Sequence, residues 1–213
     1  MKRINTQGIT YIELLDGSRG TWYWGSDYAS GDLYEAEELF RSGHPVRSNK
    51  LIFVHFPDGR AIEPVAAKEG QYFGRPLFYE GKLHILTVDF PAGAIRITQY
   101  DDELGRITPV AEVPLSAVKD CYNLMLETSP LMLARHGMED SFQLIWPERV
   151  SFPIGEREAF LFREGERLYF STWRDEPEYE EEVLVRSMGT GALIERISGT
   201  LMFMPDGQRW LLT

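Results

Sequence analysis

The sequence predicts an all-β chain built from successive four-stranded antiparallel units of about 42 residues. Three observations carry the prediction. A strand–turn–strand pattern recurs. Phe160-Leu161-Phe162 leads through Glu164-Gly165-Glu166 into Leu168-Tyr169-Phe170, and Leu77-Phe78-Tyr79 leads through Glu80-Gly81-Lys82 into Leu83-His84-Ile85. Leu201-Met202-Phe203 leads likewise through Pro205-Asp206-Gly207 into Trp210-Leu211-Leu212. The three turn glycines stand 84 and 42 residues apart, which sets the repeat length. The inner runs at 22–24, 77–79, 124–126, 160–162 and 201–203 are short and continuously apolar, as strands buried on both faces are. Five such units fill about 210 of the 213 residues as a single domain over 1–213.

Taken in order, residues 1–6 and 9–15 flank Gln7-Gly8 and read as a hairpin, and 20–24 is a short aromatic strand. Residues 25–31 read as a turn region. Residues 33–40 fit two descriptions. Asp32 suits the cap of a short acidic helix ending near Gly43, but the repeat count favours an irregular strand. Residues 41–50 form a polar loop with His44-Pro45. Strands at 51–56 and 61–65 flank Pro57-Asp58-Gly59-Arg60, a strong hairpin signal.

A loop at 68–74 leads to the clear repeat that begins at Pro76. Its second hairpin runs over 94–100, 101–105 and 107–115. Alternation there puts Ile107, Ala111, Val113 and Leu115 on one face, with Thr108, Glu112 and Ser116 on the other. A degenerate unit follows at 122–127, a turn at Thr128-Ser129-Pro130, then 131–135, 142–146 and 150–154. The unit at 158–197 closes with a hairpin over 183–186, 188–191 and 192–197. Residues 200–203 and 208–213 supply half a unit, which sharing one sheet with the N-terminal hairpin would complete, removing free sheet edges.

On this spacing the chain resembles five-bladed β-propellers, a group that includes tachylectin-type lectins and arabinanase-like glycoside hydrolases. The resemblance is architectural, covers the whole chain and rests on turn spacing. No Trp-Asp or Gly-His signature stands at blade positions. It implies a ligand site at the mouth of a central channel, where the inner strands begin. The loops converging there supply Arg19 and Trp22, Tyr72 and Arg75, Asp120, Tyr122 and Asn123, and Arg157 and Glu158. Farther out come His44, Arg47, His136, Trp173 and Arg174.

Arginine forks match carboxylates and phosphates, and aromatic faces stack on sugars or planar ligands. The same arginines serve equally well to cap carbonyls or to pair with Glu158 and Asp120 between blades. The reading preferred on these residues is a binding module for a small polar ligand, a sugar or a protein partner. An enzyme of the arabinanase-like type is the alternative, with Asp120 and Glu158 as acid and base. Asp27 lies at the wrong end of its strand for that chemistry, and three inner strands begin instead with Gly20, Arg75 and Thr200. A purely structural ring is a third reading.

The remaining signals mostly exclude. A net charge of −11 opposes nucleic-acid binding. No run approaches the length of a membrane helix, and the first fifteen residues lack a continuous apolar core of the secretory kind. A lone cysteine, Cys121, fits a reducing compartment, and a cytoplasmic location is expected. Beside Asp120 this thiol reads as an inert small residue. The four histidines lack metal-ligand spacing, and none of the common nucleotide, metalloprotease or hydrolase motifs is present, so no cofactor or metal is expected. The acidic run 176–182 reads as a solvated loop.

Overall fold

The computed structural model describes residues 1–28, 32–128, 130–175, 177–204 and 206–213. Its described residues are all-β apart from one α-helix and a 3-10 turn. The chain divides into two compact units, Met1–Leu126 and Glu127–Thr213.

In the first unit β1 (Glu13–Leu14), β2 (Trp22–Ser26), β3 (Leu51–His55) and β4 (Ala61–Ile62) form an antiparallel sheet in chain order. Residues 51–54 are all buried because β3 is covered on both faces. Leu51 and Phe53 pack with Leu15, Trp22 and Phe73, whereas Ile52 and Val54 pack with Ile9. That second cover explains why the expected hairpin over 1–15 does not form. The turn at Gln7-Gly8 is present, with φ of 55° and 96°. Residues 1–6 contain no strand, however, and Ile4, Ile9 and Ile12 pack across β3 rather than against each other in a ladder.

The connection from β2 to β3 carries α1 (Leu33–Arg41), which corrects the strand expected there. Asp32 holds the N-cap, accepting the Glu35 N–H at 2.8 Å, and Arg41 stands in the last turn where the helix dipole favours a cation. Leu33 and Ala36 are buried along one side. A link between strands that are already neighbours need add no rung to the sheet, so the repeat count had no bearing on it.

The second sheet holds β5 (Gln71–Phe73), β6 (Leu77–Tyr79), β7 (Lys82–Asp89), β8 (Ala94–Asp101) and β9 (Arg106–Pro114). Both β5 and β6 pair with β7, so they are one strand interrupted at residues 74–76. Pro76 has no N–H to offer the ladder, while the Gly74 N–H still donates to the Leu86 carbonyl at 2.9 Å. The β6–β7 turn uses Glu80 and Gly81 at φ of 48° and 79°, the left-handed pair that a two-residue hairpin requires. A bulge opposite Ile97 and Thr98 pairs them with Ala111 and Pro109, skipping Val110. The alternation therefore changes phase, and Ile107 lies on the opposite face from Ala111 and Val113.

The unit boundary falls within β10 (Leu124–Glu127), and beyond it β11 (Met132–Gly137), β12 (Ser141–Trp146) and β13 (Val150–Pro153) pair antiparallel in chain order. A four-stranded meander follows: β14 (Ala159–Glu164), β15 (Arg167–Arg174), β16 (Glu180–Ser187) and β17 (Leu193–Ser198). Inside the second unit Phe142 meets Phe152, Phe160 and Phe170 at ring-centroid distances of 5.5, 4.9 and 5.2 Å. Finally β18 (Thr200–Phe203) and β19 (Arg209–Leu212) form a two-stranded sheet of their own.

The acidic run differs from the expected loop. Glu180, Glu181 and Glu182 begin β16, and their charges meet Arg174, Tyr179 with Thr200, and Arg196. Glu176 of that run, residues 29–31 of the expected turn region, Ser129 and Pro205 lie outside the described residues. No helix among the described residues is long and apolar enough to cross a membrane.

Candidate functional site

The break in the β5–β6 strand opens onto a cavity of about 340 Å³ inside the first unit. Trp24, Gly25 and Ser26 of β2 line it, with Tyr28 just beyond. Tyr72, Phe73, Gly74 and Arg75 contribute from the interrupted strand, and Asp32 and Leu33 from the start of α1. Cys121, Asn123, Leu124 and Met125 lie along another side, and Tyr11 and Glu13 along the N-terminal segment.

Two glycines allow these pieces to approach. A Cβ on Gly25 would stand 2.5 Å from the Tyr11 carbonyl oxygen, closer than any side chain tolerates. A Cβ on Gly74 would stand 2.7 Å from Leu86 Cδ2 and 3.0 Å from Leu33 Cδ1. A side chain there would have to displace the ends of Leu86 and Leu33, so the glycine eases the approach of the helix to the interrupted strand.

The walls are aromatic. The Tyr28 and Tyr72 rings meet edge to face, with centroids 4.9 Å apart and an 83° angle between planes. Burial pushes the Tyr72 hydroxyl well above its ordinary pKa, and the charges of Asp32, Glu35 and Asp27 add to the rise. Burial and Glu35 raise Tyr28 in the same direction. The Trp24 Nε1–H is enclosed without a hydrogen-bond partner among the described residues. Arg75 is half exposed, its Nε 3.4 Å from Asp16 and its Nη2 4.0 Å from Glu13.

Cys121 is buried, and burial together with Glu37 pushes its thiol pKa far up. Both effects disfavour the thiolate, the form in which a cysteine acts as a nucleophile.

Of the residues predicted from sequence, Tyr72, Arg75 and Asn123 share this cavity. Trp22 does not: it is a core residue of the first unit, tilted against His55 at 4.8 Å and facing the Arg60 guanidinium at 5.6 Å. Arg19 is exposed at φ 53° in the turn before β2. Asp120 is buried and accepts the Tyr122 N–H at 3.1 Å, and the Tyr122 ring meets Tyr34 edge to face at 5.7 Å. His44 and Arg47 are exposed on the connection into β3, and His136 is half-buried on β11.

In the second unit Arg157 lies over the Trp173 ring at 4.0 Å and 3.5 Å from Asp175. Arg174 pairs with Glu180. Glu158 is buried and engages Arg186 through both oxygens, at 2.7 and 2.9 Å, while also accepting the Gly155 N–H at 3.0 Å.

Trp24, Tyr28, Tyr11 and Asp32 belong to the cavity and were not anticipated. A period of two puts Trp24 on the Trp22 face of β2, so that residue had a sequence signal. The other three depend on long-range approach and had none.

No family model matches the chain, and no curated protein sequence does. Among solved structures it is similar to a chain from Bacteroides uniformis provisionally named a 6-phosphogluconolactonase. The identity is 12% and the TM-score 0.39 over 91% of this chain. The match spans 61% of that protein's chain.

Proposed function

We propose that this chain is a ligand-binding module whose site is the cavity bounded by β2, the β5–β6 break and the start of α1. The observation that carries this reading is the convergence of Trp24, Tyr28, Tyr72 and Arg75 on one space of about 340 Å³. Ligand pockets run from roughly 300 to 1,000 Å³, largely apolar with a few directed polar groups, and this one has that make-up. Consecutive four-stranded meanders are also the units from which propellers are built, and ligand-binding propellers place function in connections and strand ends, as here. The acid–base alternative has less support. Neither Asp120 nor Glu158 lines the cavity, and Glu158 has both oxygens engaged.

A saturation-transfer NMR screen of small sugars, carboxylates, phosphates and amines against the full chain tests the proposal. Met125 is a cavity-lining residue exposed on β10, so Met125→Trp adds bulk without disturbing a core position. Hits are expected with the wild type and weakened at least tenfold by that variant. Hits untouched by Met125→Trp, together with unchanged affinity in Tyr72→Leu, would place binding elsewhere and refute the proposal.

A further inference from the structure

We infer that the ligand of this cavity is a small organic cation with a methylated ammonium head, seated against the Tyr28, Tyr72 and Trp24 rings with Asp32 as counter-charge. The inference rests on the binding role proposed above and assigns its chemical class.

Aromatic faces attract cations through their quadrupole, and more strongly when water is displaced. The perpendicular rings of Tyr28 and Tyr72 form a corner, and Trp24, the best cation–π partner among the aromatic residues, lines the same space. The fixed charges favour the same sign of ligand. Arg75 is answered by two carboxylates, Asp16 and Glu13. Asp32 answers the N-terminus of α1 as its cap. The acids that act on Tyr28 and Tyr72 are Asp32 and Glu35, with Asp27 adding at Tyr72. A net charge of −11 draws cations toward the surface from a distance.

The head group follows from the walls. Aromatic faces attract a cation without accepting directed hydrogen bonds, so an ammonium bearing N–H groups gives up water there that the rings do not replace, whereas a methylated one has no donors to satisfy.

Isothermal titration of the full chain with choline and tetramethylammonium tests the inference, against 3,3-dimethylbutan-1-ol as the uncharged isostere and methylammonium as the unmethylated class. Choline is expected to bind saturably, the isostere at least tenfold more weakly, and methylammonium more weakly than tetramethylammonium. Tyr72→Leu should abolish binding, and Tyr28→Phe, which keeps the ring, should preserve it. Asp32→Asn retains a good N-cap, so circular dichroism should show the helix intact while choline affinity falls several-fold. Equal binding of choline and its isostere, or an Asp32→Asn variant of unchanged affinity, would overturn the cationic assignment. A sugar or phosphate that binds the cavity when no cation does would also overturn it while leaving the binding role standing. Silence from every charged and neutral probe would remove both.

Discussion

The Glu37 carboxylate on α1 accepts the backbone N–H of Cys121 at 2.7 Å, across 84 residues of chain. Glu37 is buried, and Arg41 answers its charge at 2.5 Å one turn further along the helix. This bond holds the segment leading to Asn123 and Leu124 close to the helix, so the side of the cavity that they line depends on it. Glu37→Ala leaves a buried N–H without its acceptor and should destabilise the chain by about 1–3 kcal/mol. Glu37→Gln keeps an acceptor and should lose less. Urea titration of the two variants measures the difference, and equal losses would show that the hydrogen bond is not what matters.

Gly25→Ala should destabilise by about 1–3 kcal/mol, since the new methyl meets a carbonyl oxygen that cannot rotate away. It should also shift Tyr11 out of the cavity. A thermal melt gives the first effect. Reduced affinity for any ligand found by the NMR screen gives the second, and a variant as stable as wild type would contradict the close approach.

Glu158 and Arg186 form a mostly buried pair, with 8% and 16% of their side chains exposed. Removing one partner leaves the other charge buried, so Arg186→Leu should cost about 3–5 kcal/mol. Glu158→Gln should also lower the unfolding midpoint. A hydrolytic role for Glu158 requires the opposite pattern: Glu158→Gln equal to wild type in stability but without turnover. Denaturation curves for the pair of variants separate the two.

Glu139 provides a pH signature. Hydrogen bonding to the fully buried Arg135 holds its carboxyl down to about 2, from an ordinary 4.5. Folding favours the ionised form, so this contribution is complete above about pH 4.5 and is lost as pH falls from there toward about 2. Glu139→Gln should flatten the thermal midpoint across that interval and cost about 1.5–3 kcal/mol near neutrality. Parallel acid limbs in the wild type and the variant would show that another group sets the slope.

The hairpins were legible because their turns are written locally. Glu80-Gly81 and Gly165 adopt positive φ. The short apolar runs expected to be buried on both faces are only partly so: 77–79 and 160–162 are mixed, and Met125, Met202 and Phe203 are exposed. The helix at 33–41 was equally legible from Asp32 and its acidic first turn, and was missed because a count of repeats outweighed a cap. The bulge at Val110 was not legible, since the alternation in 107–115 looks regular until its partner strand is known. The N-terminal segment failed for a related reason: its isoleucines satisfy a strand pattern but pack across β3. The cavity was only half visible. Tyr72, Arg75 and Asn123 could be placed from turn positions, whereas Tyr28, Tyr11 and Asp32 join them through long-range approach, eased for Tyr11 by the clearance at Gly25, that no local pattern encodes.

Because β2 and β3 are hydrogen-bonded neighbours, the stretch from 27 to 50 leaves the sheet and returns to the adjacent position. Loop closure depends only weakly on length, so the exposed part of this excursion can change in length at small entropic cost, provided the buried Leu33, Ala36 and Glu37 are kept, while the β2–β3 ladder stays the same. Tyr28, Asp32 and Leu33 all belong to it. The cavity is thus shared between the sheets, which supply Trp24 and Tyr72, and one excursion, which supplies Tyr28 and Asp32. Descendants of this chain could retune part of the ligand's surroundings by altering that excursion alone while inheriting the sheets unchanged.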